Sequence, residues 1–487
     1  MANADVNPAD HQWRLLIGGE LRDPRTGRCY ETQNPSTEEL LAEVPDAGTA
    51  DVDAAVNAAS VAQESWRRLA VRDRARAVRA VADVLADNLE EFARLDAADS
   101  GCPISAMRND VQWAIDLIEL FCDWAIELKG QTVPASAENL HYTVLEPYGV
   151  VARIVPFNHP IFFAAGKIAA PLIAGNTVVL KAPDQTPLSA LRLGELLREV
   201  LPAGVVNVIS GVGGVAGAAL VSHPRVRRIA FIGSEQTGRR IQQTAAEAGV
   251  KHVTLELGGK NAMIVRPDAD PDEVAAGAVQ GMNFIGSQGQ SCGSTSRLLV
   301  HESLEGPVLE RIRAAVEDIR LGDPLDPETQ MGPLVSRPQY ERVLAYIEAA
   351  RADGATVLTG GGPVARFSRG WYVEPTVLTN VSPAAPIARE EVFGPVLTVL
   401  PWREEKEAIE LANSVDYGLT ASIWTNDLRA AHRLAREVEA GYVWLNGSSR
   451  HFWGMPFGGM KASGVGREED LEELRSFTQV KSVHVLL

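Results

Sequence analysis

The sequence predicts an α/β fold with two domains, each built on a mostly parallel β-sheet. A chain of 487 residues is longer than one ordinary hydrophobic core supports, so two or three domains are expected. Apolar runs of strand length alternate with helix-period stretches such as TPLSALRLGELLREVL, and this alternation is typical of βαβ units with a sheet buried on both faces. The first series of these runs is GVVARIV, NTVVLKA, VVNVIS, RIAFIG and VTLEL.

A second series of strand-like runs predicts the second domain. It consists of NAMIVR, SRLLVH, PTVLTNV, PVLTVLPW and TASIWT, separated by helical segments. A helical region over about 51–129 and the strand-like HYTVLEPYG precede the first series. The C-terminal TQVKSVHVLL alternates as an edge strand does, and because exposed edges are usually covered, we expect subunits to pair.

Composition and charge argue against several classes of function. Acidic residues outnumber Lys and Arg by 63 to 46, and the net charge of −17 disfavours a nucleic acid or an anionic membrane as the main partner. The four cysteines lie far apart without a CxxC pair, which predicts neither a disulfide framework nor a metal site. No signal-peptide pattern is visible, and the apolar stretch 150–180 is interrupted by charges and prolines. We expect a cytoplasmic protein with a small-molecule partner.

Two glycine-rich segments compete for a phosphate-binding role at a strand-to-helix turn, where backbone N–H groups approach a pyrophosphate. SGVGGVAGAAL, with Gly211, Gly213 and Gly217, follows VVNVIS but departs by one residue from GxGxxG. FIGSEQTGRR, with Gly233 and Ser234, follows RIAFIG and offers a serine that caps the helix. Motif spacing favours the first segment, and a plain tight turn is an equal alternative for either.

Cys292 lies in the segment GQSCGSTS. Cysteine is often a small buried apolar residue, and this interpretation applies to each of the four. The segment around Cys292 differs because Gly289 and Gly293 allow unusual backbone angles and close approach of a ligand. Glu256 stands at the end of an apolar strand, where a charge is unfavourable unless it faces a cleft. The two residues are candidates for a nucleophile and its carboxylate partner.

Seven motifs, in their order and approximate spacing, resemble the aldehyde dehydrogenase superfamily. The resemblance covers nearly the whole chain, from QNPSTEE to TQVKSV, and seven ordered motifs are specific where one would not be. The motifs are PFNHP, GNTVVLKAPDQTPLSAL, FIGSEQTG, VTLELGGKNA, GQSC, EEVFGPVL and PFGGMKASGVGRE.

The resemblance implies a domain organisation. A Rossmann-type cofactor domain is joined to an α/β catalytic domain and to a small β oligomerisation element, in a homodimer or homotetramer. The predicted boundaries are 1–128 and 148–258 for the dinucleotide-binding domain, 259–470 for the catalytic domain, and 129–147 and 471–487 for the oligomerisation element.

The resemblance also assigns catalytic roles. Cys292 matches the thiolate that attacks the aldehyde carbon, and Asn158 matches the side-chain donor to the oxyanion. Glu256 matches the base that activates water to hydrolyse the thioester. Lys167 and Glu468 match a proton path behind that glutamate, with plain surface charges as the alternative.

For the cofactor, the resemblance implies NAD, with NADP as the alternative, and places the pyrophosphate on the helix opened by Gly233 and Ser234. Lys181 and Asp184 match the residues that hold the adenine ribose, and the carboxylate favours NAD over NADP. Glu391 and Phe393 match the clamp on the nicotinamide ribose. The cofactor residues implied are Val155, Pro156, Phe157, Lys181, Asp184, Gly213, Gly217, Phe231, Gly233, Ser234, Leu257, Glu391 and Phe393.

For the substrate, an aromatic sleeve is predicted. The aromatic residues at tunnel positions favour flat or bulky apolar aldehydes, and a glycine on the tunnel helix is expected to widen the tunnel. The alternative is a carboxylate-bearing semialdehyde held by a nearby cation, for which Arg108, Arg450 and His451 are candidates. The predicted substrate residues are Trp113, Phe163, Gly166, Trp453 and Phe457.

The function that these residues imply is NAD(P)-dependent, hydrolytic oxidation of an aldehyde to the acid. An enzyme that uses CoA to resolve the thioester is disfavoured by the presence of Glu256. A catalytically silent binding or structural protein is disfavoured by the complete set of Cys292, Glu256 and Asn158. A hydrolase with a Cys-His pair fits the sequence least well.

Overall fold

The computed structural model describes residues 6–486, and its largest sheet has eight strands. Its five central strands run parallel, while both edges carry antiparallel strands. In spatial order the strands are β2 (Glu20–Arg22), β1 (Leu15–Ile17), β9 (Val206–Ile209), β8 (Thr177–Lys181), β7 (Val150–Ile154), β10 (Val226–Ile232), β11 (His252–Glu256) and β21 (Gly464–Val465).

A second sheet has seven strands, of which all but the first run parallel to their neighbours. In spatial order they are β14 (Thr356–Thr359), β15 (Thr376–Thr379), β16 (Val396–Trp402), β13 (Arg297–His301), β12 (Ala262–Val265), β18 (Thr420–Trp424) and β19 (Tyr442–Leu445). The prediction of two parallel series is thus confirmed, and all ten runs read from the sequence form strands.

Three small sheets complete the strands. The three-stranded one pairs the C-terminal strand with the run HYTVLEPYG, as an antiparallel pair along its whole length. In spatial order, the three-stranded sheet consists of β22 (Thr478–Leu486), β6 (Asn139–Pro147) and β5 (Thr132–Ser136). The two-stranded sheets are β3 (Cys29–Gln33) with β4 (Leu40–Pro45), and β17 (Tyr417–Gly418) with β20 (Met460–Lys461).

Helices cover both large sheets and form the N-terminal helical region that the sequence predicts. They are α1 (Thr49–Trp66), α2 (Val71–Asp87), α3 (Leu89–Ser100), α4 (Ile104–Trp124), α5 (Ala169–Ile173), α6 (Leu188–Leu197), α7 (Ala218–Ser222), α8 (Glu235–Ala248), α9 (Pro271–Gly281), α10 (Phe284–Ser287), α11 (Glu302–Glu317), α12 (Arg337–Ala352), α13 (Pro386–Arg389), α14 (Glu405–Asn413), α15 (Leu428–Glu437) and α16 (Leu471–Ser476). Two short segments, Phe162–Gly166 and Gly213–Gly217, are π-helical.

The strands at the centre of each sheet are buried on both faces. Every residue of β7, β8, β9 and β12 is buried, which explains why these strands read as continuous apolar runs rather than as alternating ones. The parallel strands end on the same side of the first sheet, and the loops that follow them therefore converge there. This edge positions the site described below.

The first sheet also contains a strand from the C-terminal part of the chain. Strand β21 returns from the C-terminal part to pair with β11, so that Leu255 lies opposite Val465. The predicted boundary at residue 470 stays a prediction. Within residues 6–486, no helix combines the length and apolarity needed to cross a bilayer.

Candidate active site

A cavity of about 750 Å³ opens beyond the carboxyl ends of the parallel strands of the first sheet. Cys292, Asn158, Glu256 and Phe163 line it, together with all the residues predicted to hold the cofactor. Those residues are Val155, Pro156, Phe157, Lys181, Asp184, Gly213, Gly217, Phe231, Gly233, Ser234, Leu257, Glu391 and Phe393.

Helix α8 opens onto this cavity through a capped N-terminus. The Ser234 hydroxyl accepts a hydrogen bond from the backbone N–H of Thr237 at 3.3 Å, which satisfies one free donor of the first turn. Gly238 lies where a Cβ would meet Leu257 at 2.8 Å, so the glycine lets the helix approach strand β11 closely. The other glycine segment lines the same cavity, so the two segments are parts of one site rather than alternatives.

Lys181 and Asp184 are paired at the cavity wall. The Lys181 ammonium contacts the Asp184 carboxylate, whose other oxygen accepts a hydrogen bond from the backbone N–H of Gly213 at 3.0 Å. Burial lowers the pKa of Lys181 from its ordinary value, with Asp184 opposing that shift. The Asp184 side chain stays 38% exposed and is therefore available to a ligand.

Glu391 projects toward the segment between β11 and β12. Its carboxylate accepts a hydrogen bond from the backbone N–H of Gly259 at 3.0 Å, and a Cβ at Gly258 would displace it. Burial raises the pKa of Glu391 to about 7. Phe393 has a left-handed backbone, with φ of 59°, and its ring packs edge-on against Phe157 at 5.6 Å.

The loop of Cys292 is held by Asn261, which sequence reasoning did not single out. The Asn261 amide donates to the carbonyl oxygens of Cys292 at 2.7 Å and Ser294 at 3.0 Å, and its own oxygen accepts from Thr420 N–H. Gly289, with φ of 70°, lies where a Cβ would strike the carbonyl of Gly394. The only sequence signal for Asn261 was its place in the LELGGKNA motif.

Burial keeps the thiol protonated in this state. It raises the pKa of Cys292 to about 12, and the carboxylates of Glu391 and Glu256 add to that shift. The thiol therefore needs a proton acceptor, or a nearby positive charge, before it can act as a nucleophile.

Glu256 closes strand β11 with its side chain in the cavity wall. Neither of its carboxylate oxygens has a hydrogen-bond partner within residues 6–486, although the side chain is buried. Burial raises its pKa well above the ordinary value, the charge of Glu468 adds to this, and Lys167 opposes it. An unpartnered carboxyl with a raised pKa has the properties of a general base.

A buried charge cluster lies behind Glu256. Lys167 Nζ is 2.9 Å from Glu468 Oε2, and Arg153 donates to Glu468 Oε1 at 2.7 Å. Glu469 and Glu473 lie 3.7 and 3.8 Å from Lys167 Nζ. Lys167 and Glu468 are thus not surface charges, and they do not line the cavity itself.

The cluster stabilises the ionised form of its central carboxylate. Burial raises the pKa of Glu468, but Arg153 and Lys167 together outweigh burial and lower it to about 2. The Glu468 backbone also exchanges two hydrogen bonds with Phe457, at 2.7 and 2.9 Å. The charge cluster is thereby linked to the apolar cluster of Phe457, Tyr442, Trp444 and Leu419, against which Cys292 packs.

The predicted aromatic residues form part of a longer row of rings. Trp113, which is 42% exposed, packs edge-on against Phe162 at 6.3 Å, and Phe162 contacts Phe163 at 5.1 Å and Trp453 at 6.1 Å. Phe457 is buried in the apolar cluster against which Cys292 packs. Of the predicted substrate residues, only Phe163 lines the cavity; Phe162 was missed by the sequence analysis.

Gly166 lies against helix α4 and is not among the residues that line the cavity. A Cβ at this position would lie 3.2 Å from Leu117 Cδ2 and 3.6 Å from Ala114 Cα. The glycine therefore allows the π-helical segment to approach α4. That Gly166 widens a substrate tunnel stays a prediction.

The three residues that could bind a substrate carboxylate, Arg108, Arg450 and His451, have different partners in the structure. Arg108 donates twice to the exposed Glu90, at 2.7 and 2.9 Å, and is therefore already paired. Arg450 is exposed, and its carbonyl accepts from the Trp444 indole at 2.8 Å. His451 Nδ1 lies 2.8 Å from Glu469 Oε2 and its ring stacks on Phe457 at 4.4 Å.

Comparison with known proteins agrees with this geometry. Residues 22–483 match the model of the aldehyde dehydrogenase family. The aldehyde dehydrogenase TropH of Talaromyces stipitatus is 44% identical over 482 residues, which cover 97% of this chain and 93% of TropH. The chain belongs to the aldehyde dehydrogenase family.

Solved structures extend the likeness to the fold. The NAD+ complex of an aldehyde dehydrogenase from Bacillus cereus is 41% identical, has a TM-score of 0.96, and covers 99% of this chain and 98% of that one. The indole-3-acetaldehyde dehydrogenase AldA of P. syringae, solved as a mutant with NAD+ and IAA, is 37% identical, with a TM-score of 0.95 and coverage of 98% and 97%.

These comparisons confirm the family, the α/β fold and the prediction of an NAD(P)-dependent aldehyde dehydrogenase. They do not address which residues carry the reaction in this aldehyde dehydrogenase. The roles of Cys292, Glu256 and Asn158, and the choice of aldehyde, are therefore treated below as proposals.

Proposed function

We propose that this aldehyde dehydrogenase oxidises aromatic or other bulky apolar aldehydes to carboxylic acids with NAD+, through a thioester on Cys292 that water hydrolyses. The observation that carries the proposal is the shared cavity. Cys292, Asn158 and Glu256 line the same space as every residue predicted to hold the dinucleotide. A nucleophile, a donor for the oxyanion and a base are thus available at one place.

The cavity suits a dinucleotide. The capped N-terminus of α8 offers free backbone N–H groups to a pyrophosphate, Asp184 is exposed enough to accept from a ribose hydroxyl, and Glu391 would hold the second ribose. When bound, NAD+ supplies the two-electron oxidation by accepting the hydride of the adduct.

The first chemical step belongs to Cys292 and Asn158. The Cys292 sulfur attacks the carbonyl carbon, and the thiol proton passes to Glu256. The resulting oxyanion accepts hydrogen bonds from the Asn158 amide and from the backbone N–H of Cys292, which bonds to no other group in residues 6–486. Loss of hydride leaves a thioester on Cys292.

The second step belongs to Glu256. Glu256 first releases the thiol proton to solvent, and the candidates for a path that carries it are Lys167 and Glu468. Its carboxylate then removes a proton from water, and the hydroxide that forms attacks the thioester carbon and expels the Cys292 thiolate, which takes its proton back from Glu256. Within residues 6–486 the Glu256 oxygens have no hydrogen-bond partner, which leaves them free to contact water.

The preference for a ring-bearing aldehyde rests on the aromatic row. The row runs from Trp113 through Phe162, Trp453 and His451 to Phe457, a member of the apolar cluster against which Cys292 packs. AldA, which shares this fold, acts by its name on indole-3-acetaldehyde, an aromatic aldehyde. Arg108, one of the candidates for a semialdehyde carboxylate, is paired with Glu90.

Direct assay of the purified protein tests the function. With NAD+ and phenylacetaldehyde, absorbance at the NADH band and mass spectrometry of the acid should both report turnover. Cys292→Ala should abolish turnover and leave NAD+ binding by calorimetry nearly unchanged. Addition of CoA should yield no acyl-CoA. Turnover by the Cys292→Ala variant, or release of acyl-CoA in place of the acid, would overturn the proposal.

We also propose that the β22–β6–β5 sheet pairs subunits. All residues of β5 are exposed, and β22 carries exposed apolar side chains at Val480 and Leu486, so this sheet has an open edge and an uncovered face. Val480→Lys should shift the molecular mass measured by light scattering toward the monomer. An unchanged mass would place the interface elsewhere.

A further inference from the structure

Two histidines near Cys292 are each paired with a buried carboxylate. His159 Nδ1 lies 2.8 Å from Asp110 Oδ2, and His451 Nδ1 lies 2.8 Å from Glu469 Oε2. Both carboxylates are almost fully buried, while the histidine side chains are 20% and 32% exposed. Each imidazole is therefore oriented by a buried carboxylate, and its Nε2 has no hydrogen-bond partner in the part of the chain that the structure describes.

Both histidines adjoin the predicted reaction centre. His159 follows Asn158 directly and packs edge-on against Phe163 at 5.8 Å, and both of those residues line the cavity. His451 stacks on Phe457 at 4.4 Å, and Phe457 belongs, with Leu419, Tyr442 and Trp444, to the apolar cluster against which Cys292 packs.

A continuous row of ring contacts joins the two imidazoles. From His159 the row passes through Phe163, Phe162 and Trp453 to His451, and it continues from there to Phe457. The polar Nε2 atoms of the two imidazoles would gain nothing from a purely apolar substrate.

We propose that His159 and His451 recognise a hydroxyl group on the ring of the substrate, so that the preferred substrates are hydroxylated aromatic aldehydes. The inference rests on the proposed oxidation of aromatic aldehydes at Cys292. An imidazole Nε2 donates to or accepts from a hydroxyl according to its protonation, whereas a hydrocarbon ring offers neither. A site that hydrogen-bonds a substrate hydroxyl discriminates against the analogue that lacks it.

The local charges favour a neutral hydroxyl over a carboxylate. Around His451, the carboxyl groups of Glu468, Glu469 and Glu473 outnumber the cations of Lys167 and Arg153. Around His159, Asp110 is paired with the ring, and Asp96 lies close enough to affect it. A substrate carboxylate would approach an excess of negative charge on both sides, which a phenolic hydroxyl would not feel.

The experiment compares phenylacetaldehyde with its 3-hydroxy, 4-hydroxy and 4-carboxy derivatives, because the methylene group insulates the aldehyde from the electronic effect of the ring substituent. The readout is the ratio of kcat/KM for each derivative to that for phenylacetaldehyde. We expect a ratio of about five or more for one hydroxy isomer, the size of one net hydrogen bond. His159→Phe and His451→Phe keep the ring contacts and should bring the ratio toward one.

Further variants separate recognition from structure. His159→Gln and His451→Gln keep a donor for Asp110 or Glu469 and should retain part of the ratio even where the Phe variants fold poorly. His11→Phe is the matched control, because His11 also pairs with a buried carboxylate, Glu195, at 2.7 Å and packs on an aromatic ring outside the cavity. It should leave the ratio at the wild-type value.

The possible failures are distinguishable. Oxidation of all four aldehydes with ratios near one, a higher ratio for the 4-carboxy derivative, or a hydroxyl preference that survives in both Phe variants would overturn this inference and leave the proposed function standing. Absence of NADH formation with every aldehyde would overturn the proposed function and this inference with it.

Discussion

Lys167 Nζ lies 2.9 Å from Glu468 Oε2, with both side chains almost fully buried. The pair belongs to a cluster with Arg153, Glu469 and Glu473, and its charges shift the pKa of Glu256. The cluster is therefore structural and electrostatic at once: it compensates buried charges and sets the proton affinity of the proposed base.

Lys167→Met should destabilise the protein by roughly 3–5 kcal/mol, because the buried carboxyl groups of Glu468 and Glu473 are then left with Arg153, and that of Glu469 with His451. Urea unfolding followed by circular dichroism measures the loss. Lys129→Met is the control, since Lys129 forms an exposed pair with Glu127 and should change the free energy of unfolding by under about 0.5 kcal/mol. Equal losses in the two variants would contradict a compensating role for Lys167.

Glu256→Gln should produce a burst of NADH followed by slow steady-state turnover, because the amide cannot accept a proton from the water that hydrolyses the thioester. Stopped-flow fluorescence resolves the two phases. A slowed burst is expected as well if Glu256 also takes the thiol proton. The exposed Glu410→Gln should behave as wild type. Undiminished steady-state turnover across pH in Glu256→Gln would show that Glu256 is only structural.

Asp184→Ala should raise the ratio of kcat/KM with NADP to that with NAD. The substitution removes a negative charge from the predicted ribose site and frees the Lys181 ammonium for a 2′-phosphate. The exposed Asp23→Ala should leave the ratio unchanged. A wild-type protein that already prefers NADP would contradict this interpretation of Asp184.

Asp96→Asn should flatten the pH dependence of stability. Burial raises the pKa of Asp96 to about 7, from an ordinary value of 3.8, so the folded state holds a proton there that the unfolded state releases. Asp96 therefore contributes stability that is present below pH 3.8 and lost as pH rises toward 7. The contribution is a negative slope of up to about 1.4 kcal/mol per pH unit.

The Asn side chain can still accept the hydrogen bond from Ile161 N–H that Asp96 accepts at 2.9 Å, which makes the substitution conservative. Urea unfolding at a series of pH values between 4 and 7 measures the slope in both proteins. Identical slopes would show that Asp96 does not hold the extra proton.

Gly166→Trp should destabilise the protein and lower activity toward small and bulky aldehydes alike, since the side chain would enter helix α4 at Leu117 and Ala114. Overpacking of this kind typically costs about 1–3 kcal/mol or more. Gly166→Ala should have a smaller effect, because the flexible end of Leu117 can shift. Selective loss of the bulky substrate, with normal stability, would support the tunnel interpretation.

Local sequence was enough for the central strands and for a hypothesis about the reacting groups. Buried parallel strands are continuous apolar runs, so β7 to β13 could be read directly, whereas the edge strands β2 and β14 lack such a run, and β1 is only three residues long; all three were missed. Cys292 and Glu256 were identified because each lies in a motif whose residue types are unusual for their position.

Only the tertiary structure decided how these groups work together. Arg153 and Glu468 are 315 residues apart in sequence yet form one buried pair, and no local pattern signals such a partner. The orientation of Gly166 toward α4 and the pairing of His159 with Asp110 likewise depend on how helices pack. Periodicity and motifs show which residues of a segment must be buried or paired. Which residues become their partners depends on long-range packing. The pKa values at the site follow from that packing.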